Sequence, residues 1–180
     1  MFVWERFALS ALVLGLSTWQ VNGQVAGQPA AQEAKLAFKP KLELKWPGKP
    51  EESSQVIKDG SFEQKDYTAH FVLKRATGNI SFWASVAELP IKEMRENPKV
   101  ALAAYVLAFK KDETSRKEIE HGPKKFPGFE IASRTKFGFD RKVVVIAGQR
   151  IYQISVQSRD EDLLKIEEVK AFMKSLAIKD

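Results

Sequence analysis

Residues 141–156 read RKVVVIAGQRIYQISV, and this stretch decides the fold. Its first arm, Arg141–Ile146, is apolar on both faces through the run Val143–Ile146. An extended strand of that kind has no polar face, as a central strand covered on both sides requires. The second arm, Ile151–Val156, alternates, so Tyr152, Ile154 and Val156 share one face at period two. Ala147-Gly148-Gln149-Arg150 between them has the length of a tight hairpin. Two adjacent antiparallel strands are therefore expected here.

The same pattern extends towards the N-terminus. Residues 67–74, YTAHFVLK, and 79–87, NISFWASVA, form a second hairpin around Arg75–Asn79, with Ile80, Phe82, Ala84 and Val86 on one face. Residues 41–46, KLELKW, predict a strand with Leu42, Leu44 and Trp46 inward, stopped by Pro47-Gly48-Lys49-Pro50. Glu51–Gly60 is polar, closes on Asp59-Gly60 and reads as a loop. Glu118-Ile119-Glu120 predicts a short strand before His121-Gly122-Pro123, and Phe129–Lys136 alternates through Phe129, Ile131 and Ser133.

Two helices are expected. The first covers 97–111, with Asn97 as cap, Pro98 in the first position and Val100, Ala103, Ala104, Leu107 and Ala108 as its apolar stripe. Lys110 and Lys111 suit its last turn. The second covers 161–175, capped by Asp160, with Glu161 and Asp162 in its first turn. Its stripe is Leu163, Leu164, Ile166, Val169, Phe172, Met173 and Leu176. The fold class is α+β: a mostly antiparallel sheet with helices packed on it.

Composition narrows the chemistry. The 180 residues include no cysteine and only two histidines, His70 and His121. Disulfides, thiolate catalysis, thiolate-held metals and histidine-rich metal sites are thereby excluded. Residues 1–27 read as a signal peptide. Phe7–Trp19 is an uncharged stretch of 13 residues after Arg6. A bilayer span needs about 20 such residues, whereas a secretory core needs about 7–15. Small-residue rules place cleavage after Gly23 or Gly27, and a retained anchor is the alternative. Residues 28–35 read as a flexible spacer and 36–180 as one domain. The expected location is periplasmic or secreted, with no transmembrane span after cleavage.

No catalytic, cofactor or metal site emerges from the motifs. His70 lies mid-strand, with Asp66 too far along that strand to share a ligand. His121, beside Glu118 and Glu120, reads as a polar turn residue more readily than as a mixed carboxylate–imidazole site. The pairs Glu51-Glu52, Glu161-Asp162 and Glu167-Glu168 are adjacent in sequence, whereas hydrolytic carboxylates face each other across a cleft. Serines lack the nucleophile-elbow context, and phosphate-binding glycine loops are absent. The basic residues offer more. Arg116, Lys117, Lys124, Lys125, Arg134, Lys136, Arg141 and Lys142 are interleaved with Phe126, Phe129, Phe137 and Phe139. Such a mixture can hold an anionic lipid or polysaccharide surface through charge. Nucleic acid is disfavoured by export.

Four local patterns resemble the PsbP/Mog1-like α/β/α sandwich family, which includes small exported bacterial proteins. They are Leu42–Pro50 (LELKWPGKP), Phe82–Pro90 (FWASVAELP), Pro127–Glu130 (PGFE), and Gln149–Val156 (QRIYQISV) followed by Val169–Leu176 (VKAFMKSL). The resemblance covers about residues 40–178. It implies the sandwich fold and an accessory, assembly or binding role, and supplies no catalytic set. The absent cysteine means that a lipid tether is not implied. The expected function is a non-enzymatic exported accessory or binding protein acting through the surface loops Pro47–Gly60 and Lys111–Pro127, on a protein partner or an anionic envelope surface. The alternatives are a small enzyme using an Asp, Glu, Tyr or Arg pocket, and a structural envelope component.

Overall fold

The computed structural model describes residues 40–59, 62–89, 96–107 and 110–179. The expected signal peptide, spacer and domain start near residue 36 lie outside the described residues, as does Ala108 of the first expected helix.

Among the described residues, nine strands and two α-helices follow in the order β1 (Leu42–Glu43), β2 (Glu51–Asp59), β3 (Phe62–Arg75), β4 (Gly78–Glu88), α1 (Pro98–Leu107), β5 (Glu113–His121), β6 (Phe126–Thr135), β7 (Gly138–Ala147), β8 (Arg150–Ser158), α2 (Glu167–Lys174) and β9 (Ala177–Ile178). Seven strands form one sheet in the order β2-β3-β4-β8-β7-β6-β5. Every neighbouring pair in it is antiparallel. Two meanders, β2 to β4 and β5 to β8, thus join at β4 and β8. The hairpin of residues 141–156 sits inside the sheet as its apolar composition requires, with Val143 opposite Ile154 and Val145 opposite Tyr152.

The two helices cover opposite faces. On one face Ile80, Phe82, Ala84, Val86, Val143, Val145, Tyr152, Ile154 and Val156 pack with Leu163, Leu164, Val169, Phe172 and Leu176. Phe172 meets Phe82 edge-on at 5.2 Å and Trp46 at 4.9 Å. On the other face Ala101, Leu102 and Val106 of α1 pack on Ala87, Leu89, Ile131, Val144, Ile146 and Ile151. Successive β7 residues belong to different clusters, which is why this arm lacks a polar face.

Several expectations are corrected. The segment 41–46 pairs only through Leu42 and Glu43, with Ile178 and Ala177, in a separate two-stranded ladder. Leu42, Leu44 and Trp46 still pack on the core. The two expected functional loops are largely strands: Glu51–Asp59 is β2 and Glu113–His121 is β5, the two edges of the sheet. A strand at an edge with little apolar cover gives no period-two signal, so its polar composition mimics a loop. Helix α1 stops at Leu107, and Lys110–Asp112 forms a separate 3-10 turn. Its buried residues are Ala101, Leu102 and Val106, whereas Val100 and Leu107 of the expected stripe are exposed. A helix that is apolar on nearly every side does not announce which side is inward.

The last helix is also interrupted. Asp162–Lys165 is a 3-10 turn, Ile166 is extended, and α2 begins at Glu167. The angular arithmetic explains the break. At about 100° per residue, Leu163 and Phe172 would point in opposite directions on a continuous helix. Both are buried in the same cluster, so the chain must change direction between them. The expected cap is also corrected: Glu161, not Asp160, takes the N-cap position and makes no side-chain cap bond, while the Asp162 N–H donates to Asp160 Oδ1 at 2.9 Å in a turn just ahead of it.

Candidate anionic-partner surface

The eight basic residues do not form one surface. Arg116 and Lys142 face the α1 side of the sheet, on which Arg116 lies opposite Ile131 and Ile131 opposite Lys142. Arg116 bonds Glu113 and lies 5.3 Å above the Phe129 ring. Lys142 is buried and paired with Asp140 at 2.7 Å. Lys124 and Lys125 occupy the β5–β6 turn, where Lys125 reaches Glu120 at 3.5 Å. Lys117 lies opposite Glu130 near the middle of β5.

Three of the eight do converge. Arg134 is near the end of β6, Lys136 is in the β6–β7 turn, and Arg141 is on β7. Arg134 and Arg141 point to the α2 side, in neighbouring rows of the ladder. The register adds Arg159, which directly follows Ser158, the partner of Phe139. Arg134 stands 5.1 Å over the Phe139 ring and Lys136 5.0 Å over the Phe137 ring. Phe137 itself is 55% exposed. A recess of about 300 Å³ opens among Arg134, Lys136, Phe137, Phe139 and Arg159. Among the described residues, none of these four cations is paired with a carboxylate.

Local sequence builds this tip. The turn Thr135-Lys136-Phe137-Gly138 is closed by Thr135, whose Oγ1 accepts the Phe137 N–H at 3.1 Å. Hydroxyl residues close turns in this way. Gly138 has φ of 131°, and a Cβ there would lie 2.3 Å from the Ser158 carbonyl oxygen. The glycine therefore lets the start of β7 approach the end of β8, which brings Arg159 beside the two phenylalanines. Arg159 was missing from the sequence-based set because it lies 18 positions beyond Arg141; only the β7–β8 register shows the proximity.

The remaining candidates do not assemble into chemistry. His70 stacks on Trp83 with ring centroids 3.9 Å apart. Burial holds its imidazole below the ordinary histidine range, opposed by nearby Glu51. His121 ends β5, and burial lowers it too, opposed by a hydrogen bond with the Leu176 backbone. Glu118 and Glu120 lie across the strand from it by alternation, so the mixed site does not form. Among the described residues no group of three His, Asp or Glu side chains could hold a metal.

Asp66 is the one deeply buried carboxylate on β3, at 2% exposure. Gln64 Nε2 donates to its Oδ1 at 2.7 Å, while Oδ2 has no partner among the described residues. Desolvation raises its pKa from the ordinary carboxylate value, with nearby Gln64 and Gln55 opposing. Tyr105 of α1 lies close enough to feel this charge, and its hydroxyl donates to Gln153 Oε1 at 3.0 Å. A shallow groove of about 600 Å³ lies at the opposite face, lined by Leu42, Leu44, Trp46, Glu52, Tyr67 and Ser175 among others.

No protein-family model and no curated protein matches this chain. No helix among the described residues is long and apolar enough to cross a membrane.

Proposed function

We propose that the chain is a non-enzymatic exported binding protein whose working surface is the β6–β7 tip. The observation that carries this reading is the cluster of Arg134, Lys136 and Arg159 around an exposed Phe137, with Arg141 next to Arg134 in the neighbouring row. Like charges held together without carboxylate partners repel one another. An anionic partner relieves that repulsion and releases its own counterions. The partner is thus an anionic surface of the cell envelope. Export rests on the uncharged stretch Phe7–Trp19, and N-terminal sequencing of the mature chain checks it. The PsbP/Mog1-like sandwich remains our reading of the fold, supported by two helices on opposite faces of one antiparallel sheet.

Retention on a sulfated polysaccharide matrix tests the charge reading. The parent chain is retained at low salt and released as salt rises. Replacing Arg134, Lys136, Arg141 and Arg159 together by Gln abolishes retention, while replacing Lys124 and Lys125 by Gln leaves most of it. Equal loss from both variants, or retention indifferent to salt, contradicts the proposal.

A further inference from the structure

Resting on that reading, we infer that the anionic partner is a phospholipid bilayer, and that Phe137 enters its headgroup region while the surrounding cations engage lipid phosphates. Shape favours a bilayer over a linear polyanion. A linear chain gains most from cations set along a groove, whereas Arg134, Lys136 and Arg159 gather at one point. That point is a two-residue turn, the narrowest feature a hairpin can present, with an aromatic side chain at its apex.

The chemistry of the parts fits an interface with water on one side and acyl chains on the other. A phenylalanine gains free energy by leaving water, while long basic side chains keep their charges at the headgroup level. Stable anchoring takes two signals, one apolar and one electrostatic, and both meet here. Lys136 already lies over the Phe137 ring, so cation and wedge arrive together. The Thr135 bond and Gly138 fix the turn beforehand, which reduces the ordering cost of docking. The recess lined by Arg134, Phe139 and Arg159 is the place for a lipid phosphate.

The charges just beyond the tip set its orientation. Asp160, Glu161 and Asp162 follow Arg159 directly. Asp162 is paired with Lys165 at 2.7 Å, and Asp160 accepts the Asp162 N–H. Glu168, at the start of α2, bonds Arg75. An anionic surface is therefore met by the β6–β7 turn and not by the acidic segment that leads into α2.

Vesicle co-sedimentation of the full chain tests the inference, with phosphatidylcholine vesicles compared with phosphatidylcholine mixed with phosphatidylglycerol. The apolar leader is common to every variant, so differences between variants report the tip. Phe137→Ser weakens binding to the mixed vesicles by roughly fivefold to tenfold, and weakens polysaccharide retention much less. Arg134→Gln weakens both by about fivefold. A Phe137→Trp variant gains fluorescence that brominated acyl chains quench beyond the parent signal. Undiminished vesicle binding by Phe137→Ser, or no added quenching, overturns bilayer insertion. If salt-sensitive polysaccharide binding survives in that case, the anionic-surface reading stands and the partner is a glycan. Loss of all salt-sensitive binding in the parent removes both.

Discussion

The two faces of the sheet are built differently. Under α2 the core is continuous from β3 to β7 and includes the fully buried Phe82 and Phe172. Under α1 the apolar cluster is smaller, and polar side chains lie on the same face: Asp66 and His70 from β3, Gln153 and Ser155 from β8, and Lys142 with Asp140 from β7. The first face holds the domain together by area and close packing. The second accepts polar groups in exchange for paired contacts, and one oxygen there, Asp66 Oδ2, goes without. The contrast teaches where stability resides, and it separates that from the tip.

The largest effect is expected on the α2 face. Phe172→Ala removes a buried ring that touches both Trp46 and Phe82 and costs about 3–5 kcal/mol, measured by denaturant unfolding. Leu102→Ala on α1 leaves a smaller void at a thinner layer and costs about 2–3 kcal/mol. If Leu102→Ala proves as costly as Phe172→Ala, the contrast between the faces fails.

Much of that contrast is readable in sequence. The strands β3, β4, β7 and β8 declare themselves because burial on at least one face imposes an apolar pattern. The edge β2 does not, and β5 declares itself only at Glu118–Glu120, because Glu51–Val56 and Glu113–Glu120 bury little. The sequence locates helix α1 but overruns its end and does not orient it, since PKVALAAYVL carries no polar face. Of the tip, Arg134, Lys136, Phe137, Phe139 and Arg141 were legible as a basic–aromatic run. Their separation from Arg116 and Lys142 follows from strand alternation. Arg159 joins through pairing between distant segments, which local sequence does not encode.

The buried carboxylate sharpens the contrast by its sign. The Asp66 carboxyl is raised in the fold, so the folded state holds its proton more tightly than the unfolded chain. Its contribution to stability is full below the unfolded carboxylate range and is lost as pH rises through the folded value. Asp66→Asn therefore raises Tm at neutral pH, and the gain shrinks on acidification. His70 and His121 act oppositely: both are lowered by burial, so their contribution is present above the unfolded histidine range and lost as pH falls through the folded values. A Tm profile in which Asp66→Asn is destabilising at neutral pH would show that the α1 face tolerates this charge.

The smallest stability effect belongs to the tip. Phe137→Ser shifts unfolding by no more than about 0.5 kcal/mol, as surface substitutions do, while it weakens vesicle binding. A large loss of stability would make Phe137 part of the core and collapse the distinction between scaffold and contact.

The short ladder of β1 with β9 gives the molecule a mechanical polarity. Lys179 N–H donates to the Lys41 carbonyl at 2.9 Å, so the chain passes residues 41 and 179 side by side. That junction lies near Leu176, which His121 reaches from the β5–β6 turn. The Phe137 turn is at the other end of β6, ten residues or roughly 30 Å away. A tether or a label attached at either side of the junction therefore leaves the tip pointing outward, like a probe held by its handle.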